Sequence, residues 1–161
     1  MPLDKVAPSL ADAVADIHDG AVLLLGGFGG VGAPSYLIMA VLEKGVKDLT
    51  IVCNDCAGGP QGDRLDASVL VDFRRVRKAI TTFPVVTTVV RPCSFELQYR
   101  RGEVELELAP QGTLAERLRA AGAGIAAFYT PTGVGTYFGE GKDGRVFDGV
   151  PCVMETALHC D

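Results

Sequence analysis

The chain has 161 residues, 48% of them apolar and 22% charged, with a net charge of −5, enough material for one domain with a sizeable core. This acidic balance argues against non-specific nucleic-acid binding, which needs basic patches. No apolar run reaches the roughly 18 residues of a membrane span, and the start Met1-Pro2-Leu3-Asp4-Lys5 lacks the basic-then-apolar build of a signal peptide, so the expectation is a cytoplasmic protein with no membrane contact.

Residues 9–17 predict a helix, with Leu10, Ala13, Val14 and Ile17 on one face and Ser9 with Asp12 as its cap. Asp19-Gly20 then leads into Val22-Leu23-Leu24-Leu25, an unbroken apolar run read as a strand covered on both faces. It ends in Gly26-Gly27-Phe28-Gly29-Gly30-Val31-Gly32, five glycines within seven positions. Ala33-Pro34 and a helix over 36–43 follow, with Gly45 as its stop. Glycines permit positive φ and let a ligand approach the backbone closely. A helix start beside them favours anions and developing oxyanions. The plain alternative is a tight strand-to-helix turn that binds nothing. Gly27-x-Gly29-x-x-Gly32 also satisfies GxGxxG, and Asn54-Asp55 follows the next strand, 49–53, at the place of a ribose-binding acid. An NAD(P)-binding oxidoreductase is therefore a competing reading.

The five cysteines include Cys53-x-x-Cys56. Buried free thiols explain the pair better than redox chemistry or a metal, because Cys53 closes a strand and no nearby His or second pair completes a ligand set. Residues 57–67 read as an irregular loop, 68–77 as a helix and 78–82 as a short strand. Phe83-Pro84 breaks the pattern, 85–90 is β-prone and 92–99 suggests a short helix. Val104-Glu105-Leu106-Glu107-Leu108 alternates as a strand with one solvated face. Thr113 and Glu116 predict a capping box for a helix over 114–121. Gly122-Ala123-Gly124 leads to an apolar strand over 125–129, and 130–136 and 139–149 read as turns. His18 reads as a surface residue at a helix end, and His159, close to the end of the sequence, is given no role. The alternation of helices and strands predicts the α/β class, an open, mainly parallel sheet with helices on both faces. No repeat or linker divides the chain, which is taken as a single domain over 1–161.

Four blocks in order carry a resemblance to the A subunit of the family I coenzyme A transferases, which include the succinyl-CoA:3-oxoacid and 3-oxoadipate CoA-transferases. They are Asp19-Gly20 with the glycine loop ending at Pro34; Gly45-Val46-Lys47-Asp48-Leu49-Thr50-Ile51-Val52 leading to Asn54; Pro110-Gln111-Gly112-Thr113-Leu114-Ala115-Glu116-Arg117 with Gly122-Ala123-Gly124; and Phe128-Tyr129-Thr130-Pro131-Thr132-Gly133-Val134-Gly135-Thr136. The resemblance covers essentially the whole chain and makes the GxGxxG an accidental subset of the transferase loop.

The resemblance implies the NagB/RpiA/CoA-transferase type of α/β fold and a ping-pong transfer of CoA between two carboxylic acids. A glutamate attacks the acyl-CoA thioester, giving an anhydride and then a glutamyl-CoA thioester. In the family that glutamate lies in the B subunit, in a Ser-Glu-Asn-Gly context absent here. This chain then holds no catalytic nucleophile, works in a hetero-oligomer with a B subunit, and needs no cofactor or metal beyond the CoA thioester as substrate. By the same resemblance, Gly26, Gly27, Phe28, Gly29, Gly30, Val31 and Gly32 form an oxyanion and CoA loop. Asn54 and Gln98 contact substrate, and Thr132, Gly133 and Gly135 close over CoA or shape the subunit junction. Loop scaffolding is the plain alternative for each.

There are departures. Asn54-Asp55-Cys56-Ala57-Gly58 stands where the family has Asn-Asn-Ala-Gly, bringing a negative charge toward a carboxylate-handling site. Asp63-Arg64-Leu65-Asp66-Ala67 replaces a glycine–leucine repeat, and the chain stops at Cys160-Asp161, short of a further block of strands and a helix. The expected function is that of the A subunit of an enzyme moving CoA from succinyl-CoA to a 3-oxo acid, acetoacetate or 3-oxoadipate. A diverged, non-catalytic CoA-binding or assembly module is the first alternative.

Overall fold

The computed structural model describes residues 6–57, 65–86 and 92–161. Four strands, β1 (Val22–Leu25), β2 (Leu49–Asp55), β3 (Val76–Phe83) and β4 (Glu105–Leu108), form a parallel sheet in chain order. Leu25 lies beside Cys53 and Asp55 beside Phe83, so the carboxyl ends of β1 to β3 come together. Each crossover steps one strand further in the same direction, and crossovers of constant hand put their helices on one face. Accordingly α2 (Ser35–Lys44), α3 (Ser68–Asp72) and α4 (Ser94–Arg100) share one core with Leu23, Ile51 and Ala79, joined by Val14 just after the short α1 (Leu10–Ala13). On the opposite face α5 (Gln111–Gly122) packs Leu114 and Leu118 against Val52 and Ile80. The expected cover on both faces of β1 fails at Leu24, which is 53% exposed, because α5 lies over β2 and β3.

After α5 the chain leaves this sheet. β5 (Ala127–Thr130), β6 (Gly144–Phe147) and β7 (Val150–Thr156) make a second, antiparallel sheet in the order β5-β7-β6. The turn-only reading of 139–149 is thereby corrected. Phe147 pairs with Val150 across Asp148 (φ 50°) and Gly149 (φ 80°), a two-residue turn with both central φ positive whose twist suits a hairpin. Asp-Gly between two apolar runs was the signal for it. Beyond β7 the chain returns to the free edge of β1. The Val22 N–H donates to the Asp161 carboxylate at 2.8 Å, and the Asp161 N–H donates to the Val22 carbonyl at 3.0 Å.

Helix boundaries moved for local reasons. Ser9 caps α1 by accepting from the Asp12 N–H at 3.1 Å, and Gly45 closes α2 at φ 81°. The helix expected over 68–77 ends at Asp72, since Arg74 takes φ 55° and the Arg75 N–H reaches back to the Leu70 carbonyl at 2.9 Å. That is a Schellman-type ending with no glycine to announce it. The capping box expected at Thr113 and Glu116 does not form. Pro110, with φ −58°, sits at the cap and its carbonyl accepts from the Leu114 N–H at 2.8 Å, so α5 starts at Gln111. Thr113 is then a buried residue of the first turn, and Glu116 pairs with Arg119 at 2.6 Å. The expectations for 58–64 and 87–90 lie outside the described residues. No described helix is long and apolar enough to cross a membrane.

Candidate functional site

The glycine loop folds back on itself. The Phe28 N–H donates to the Val31 carbonyl at 2.9 Å and the Val31 N–H to the Phe28 carbonyl at 3.0 Å. Gly29 (φ 56°) and Gly30 (φ 75°) form the two-residue turn between them, a conformation in which side chains are strained. Gly27 has φ 120°, and a Cβ there would lie 3.1 Å from the Ala33 nitrogen and 3.2 Å from its Cα. The loop therefore needs glycine both for conformation and for backbone approach. This hairpin is not the direct strand-to-helix turn that a dinucleotide-binding GxGxxG requires. α2 starts only at Ser35, and no side chain caps its first turn.

The hairpin is tied to the end of β2. The Gly29 N–H donates to Asp55 Oδ2 at 2.8 Å, and Asn54 Nδ2 approaches the same oxygen at 3.4 Å. The Asn54 carbonyl accepts from the buried Thr81 hydroxyl at 3.1 Å. A second carboxylate flanks the turn: Asp66, 5% exposed, places Oδ2 3.7 Å from where a Cβ of Gly30 would be. Its Oδ1 accepts from the Ser68 N–H at 2.9 Å and hydroxyl at 2.5 Å, at the start of α3. Ser35 Oγ donates to the Leu65 carbonyl at 2.8 Å, holding α2 against this segment. Sequence reasoning singled out the charge of Asp55 but not its bond to the loop. Asp66 is found only because the fold carries the start of α3 to the hairpin.

Of the loop amides proposed as oxyanion donors, those of Phe28, Gly29 and Val31 already serve the hairpin and Asp55. Gly27, Gly30 and Gly32 donate to no group among the described residues. Phe28 and Val31 are 73% and 63% exposed, so the hairpin presents an apolar rim. Gln98 is not brought to this group by any hydrogen bond. It is 5% exposed, and its Nε2 donates to the Val71 carbonyl at 2.7 Å, locking α4 to α3. Gly133 (φ 92°) accepts from the Thr136 hydroxyl at 2.8 Å and packs tightly on Gly139 in the loop before β6.

Cys53 and Cys56 are buried free thiols. The hydrogen bond from Cys53, followed by burial, pushes the Cys56 thiol far above its ordinary range, the reverse of what a reactive thiolate needs. No group of three metal-ligating side chains forms among the described residues. A cavity of about 750 Å³ lies elsewhere, between β4, α5 and the antiparallel sheet. Its cations are paired: Lys78 and Arg117 with Glu107 at 2.6 and 2.7 Å, and Lys142 with Glu155 at 2.5 Å. Burial pushes the Glu107 carboxyl up, but the hydrogen bonds and charges of Lys78 and Arg117 outweigh it and hold it below the usual range.

Comparison with known proteins agrees with this architecture. The coenzyme A transferase family model matches residues 7–161. Over 99% of the chain, identity is 43% to the A subunit of the 3-oxoadipate CoA-transferase of Pseudomonas putida. It is 41%, again over 99%, to the A subunit of the succinyl-CoA:3-ketoacid coenzyme A transferase of Helicobacter pylori strain J99. The chain spans 66% and 65% of the length of these two relatives. Among solved structures, the decarboxylase AibA/AibB superposes with a TM-score of 0.76 at 26% identity, over 95% of this chain and 58% of that one. Glutaconate coenzyme A-transferase from Acidaminococcus fermentans shares the fold, with a TM-score of 0.75 at 20% identity over 95% of this chain and 53% of that one. The chain, with its parallel α/β sheet and glycine hairpin, belongs to the coenzyme A transferase family.

Proposed function

We propose that this chain is the A subunit of a heteromeric CoA-transferase that moves CoA from succinyl-CoA to a 3-oxo acid. The observation that carries the reading is the glycine hairpin held beside Asn54 at the carboxyl ends of adjacent parallel strands, where open α/β sheets bind ligands. In the exchange, a glutamate carboxylate of the partner displaces CoA-thiolate from succinyl-CoA to give an anhydride. The thiolate then attacks the glutamyl carbonyl, releasing succinate and leaving a glutamyl-CoA thioester. The acceptor acid runs the two steps in reverse, so one thioester forms as another breaks and no electrons are gained or lost. The nucleophilic glutamate belongs to a B subunit, and this chain supplies the surroundings. The amides of Gly27, Gly30 and Gly32 face the thioester oxygen as negative charge develops on it, an effect worth about 3–4 kcal/mol per oxyanion donor in other enzymes. Asn54 offers its Nδ2 to substrate. Gln98, with its Nε2 given to Val71, holds α4 in place behind the site.

Support comes also from two relatives, each named as the A subunit of a CoA-transferase, that match 99% of this chain. The test is co-expression with a candidate B subunit carrying Ser-Glu-Asn-Gly, followed by size exclusion and an assay of CoA exchange from succinyl-CoA. A co-eluting complex that turns over, and stops when the partner's glutamate becomes alanine, is expected. A folded chain that ignores the partner and shows no exchange would sink the proposal.

A further inference from the structure

We propose that the start of α5 is a binding site for a phosphate group. α5 runs for 12 residues from Gln111, and the first N–H groups of a helix have no partner within it. Pro110 holds the cap position without a side-chain hydrogen bond, and its carbonyl takes the Leu114 N–H. The N–H groups of Gln111, Gly112 and Thr113 donate to no group among the described residues. Such a helix start carries partial positive charge and presents bare donors. By itself it is an ordinary helix end.

A cavity with an orphaned hydroxyl makes it a site. About 340 Å³ of space opens beside the first turn, lined by Gly112, Thr113 and Glu116 of α5 and by Phe128, Thr130 and Thr132 of β5 and the loop after it. Two of the sequence blocks, 110–117 and 128–136, which the proposed exchange leaves unused, meet here. Thr113 is 4% exposed and its hydroxyl has no hydrogen-bond partner. Buried hydroxyls are normally bonded, so an unpaired one in the wall of a cavity points to a ligand. Thr130 Oγ1 accepts the Thr132 N–H at 3.2 Å, which leaves the Thr130 proton free to donate. The amides and hydroxyls together suit a group that only accepts hydrogen bonds. Glu116 is the acidic exception. Its two carboxylate oxygens accept from Arg119 at 2.8 and 2.6 Å, and these bonds hold its carboxyl below the usual range, so it faces the cavity already paired. A phosphate monoester offers three terminal oxygens to this set of donors, where a carboxylate offers two. Inorganic phosphate and the phosphates of CoA share that chemistry. The site stands on its own geometry, and only CoA as the source rests on the transferase reading above.

The experiment titrates inorganic phosphate into the isotope-labelled full chain at constant ionic strength, with chloride as the control, and follows the backbone amide resonances. Saturable shifts centred on Gly112 and Thr113 are expected with phosphate and not with chloride. Thr113→Val keeps the shape and removes the hydroxyl. Phosphate affinity should then fall about tenfold, the size of one hydrogen bond to a charged group. Because the lost hydroxyl had no partner, Tm should hold or rise. Gly112→Leu is the second variant. A Cβ at Gly112 meets nothing within 4 Å, so the new side chain enters the cavity and should abolish the phosphate shifts while the chain stays folded. Adding CoA separates the sources: CoA that displaces phosphate assigns the site to the coenzyme, and phosphate undisturbed by CoA assigns it to the free ion. No shift at the start of α5 with either ligand overturns the site. An affinity unchanged in Thr113→Val, or a Tm lowered by it, overturns the role of Thr113. A co-expressed complex that moves no CoA sinks the transferase reading, while the phosphate titration still decides the site.

Discussion

Gly26 and Gly27 are neighbours with different demands. Gly26 has no positive φ and open space where a Cβ would go, whereas Gly27 sits at φ 120° against the Ala33 backbone. Replacing Gly27 by alanine forces both backbone strain and a 3.1 Å contact, at a cost of about 2 kcal/mol, or about 4–8 °C in Tm for a chain of this size. Gly26→Ala should move Tm by less than a third of that. Thermal unfolding of the two variants checks this, and equal losses would contradict the hairpin geometry. At the residue scale, then, sequence marked the loop as glycine-dependent. Which glycines are indispensable was settled by what packs against them.

Between elements, the contact most at odds with its sequence-based role is that of Gln98. Its amide is a further donor to the Val71 carbonyl at the end of α3, which also accepts from the Arg74 N–H at 2.9 Å. Gln98→Met keeps the volume and removes the donor, and should cost about 0.5–1.5 kcal/mol, read as a lower urea midpoint with an unchanged m-value. A shift within experimental scatter would return Gln98 to candidacy as a substrate contact. Element type was legible wherever a period ran unbroken, as in β2, β4 and α2. Element ends were not. A Schellman turn closes α3 on an arginine, and Pro110 starts α5 a turn ahead of the Thr113 and Glu116 pattern, because the backbone bonds of the neighbouring turn outweigh a side-chain cap.

Across the whole molecule, Glu107 links β4 to β3 through Lys78 and to α5 through Arg117. These partners lower its folded pKa. A depressed carboxylate contributes stability that is present above its unfolded pKa of about 4.3 and lost as pH falls through the lower folded value. Denaturant unfolding followed from pH 7 toward pH 3 should therefore show a steeper loss below pH 5 in the wild type than in Glu107→Gln. Parallel curves would mean that the network adds nothing measurable.

The sequence by itself determined the α/β class, the four parallel strands, the glycine loop and the family, because periodicity, apolar runs and glycine density are local and survive without knowledge of neighbours. Only the tertiary structure decided that the loop is a hairpin held by Asp55 and flanked by Asp66, that Gln98 joins two helices, and that 144–156 forms a second sheet. Each of the contacts at Asp55 and Gln98 joins residues 26 or 27 positions apart. Such contacts follow from which strands pair and on which face each helix lands, and neither is written in the local pattern of the chain.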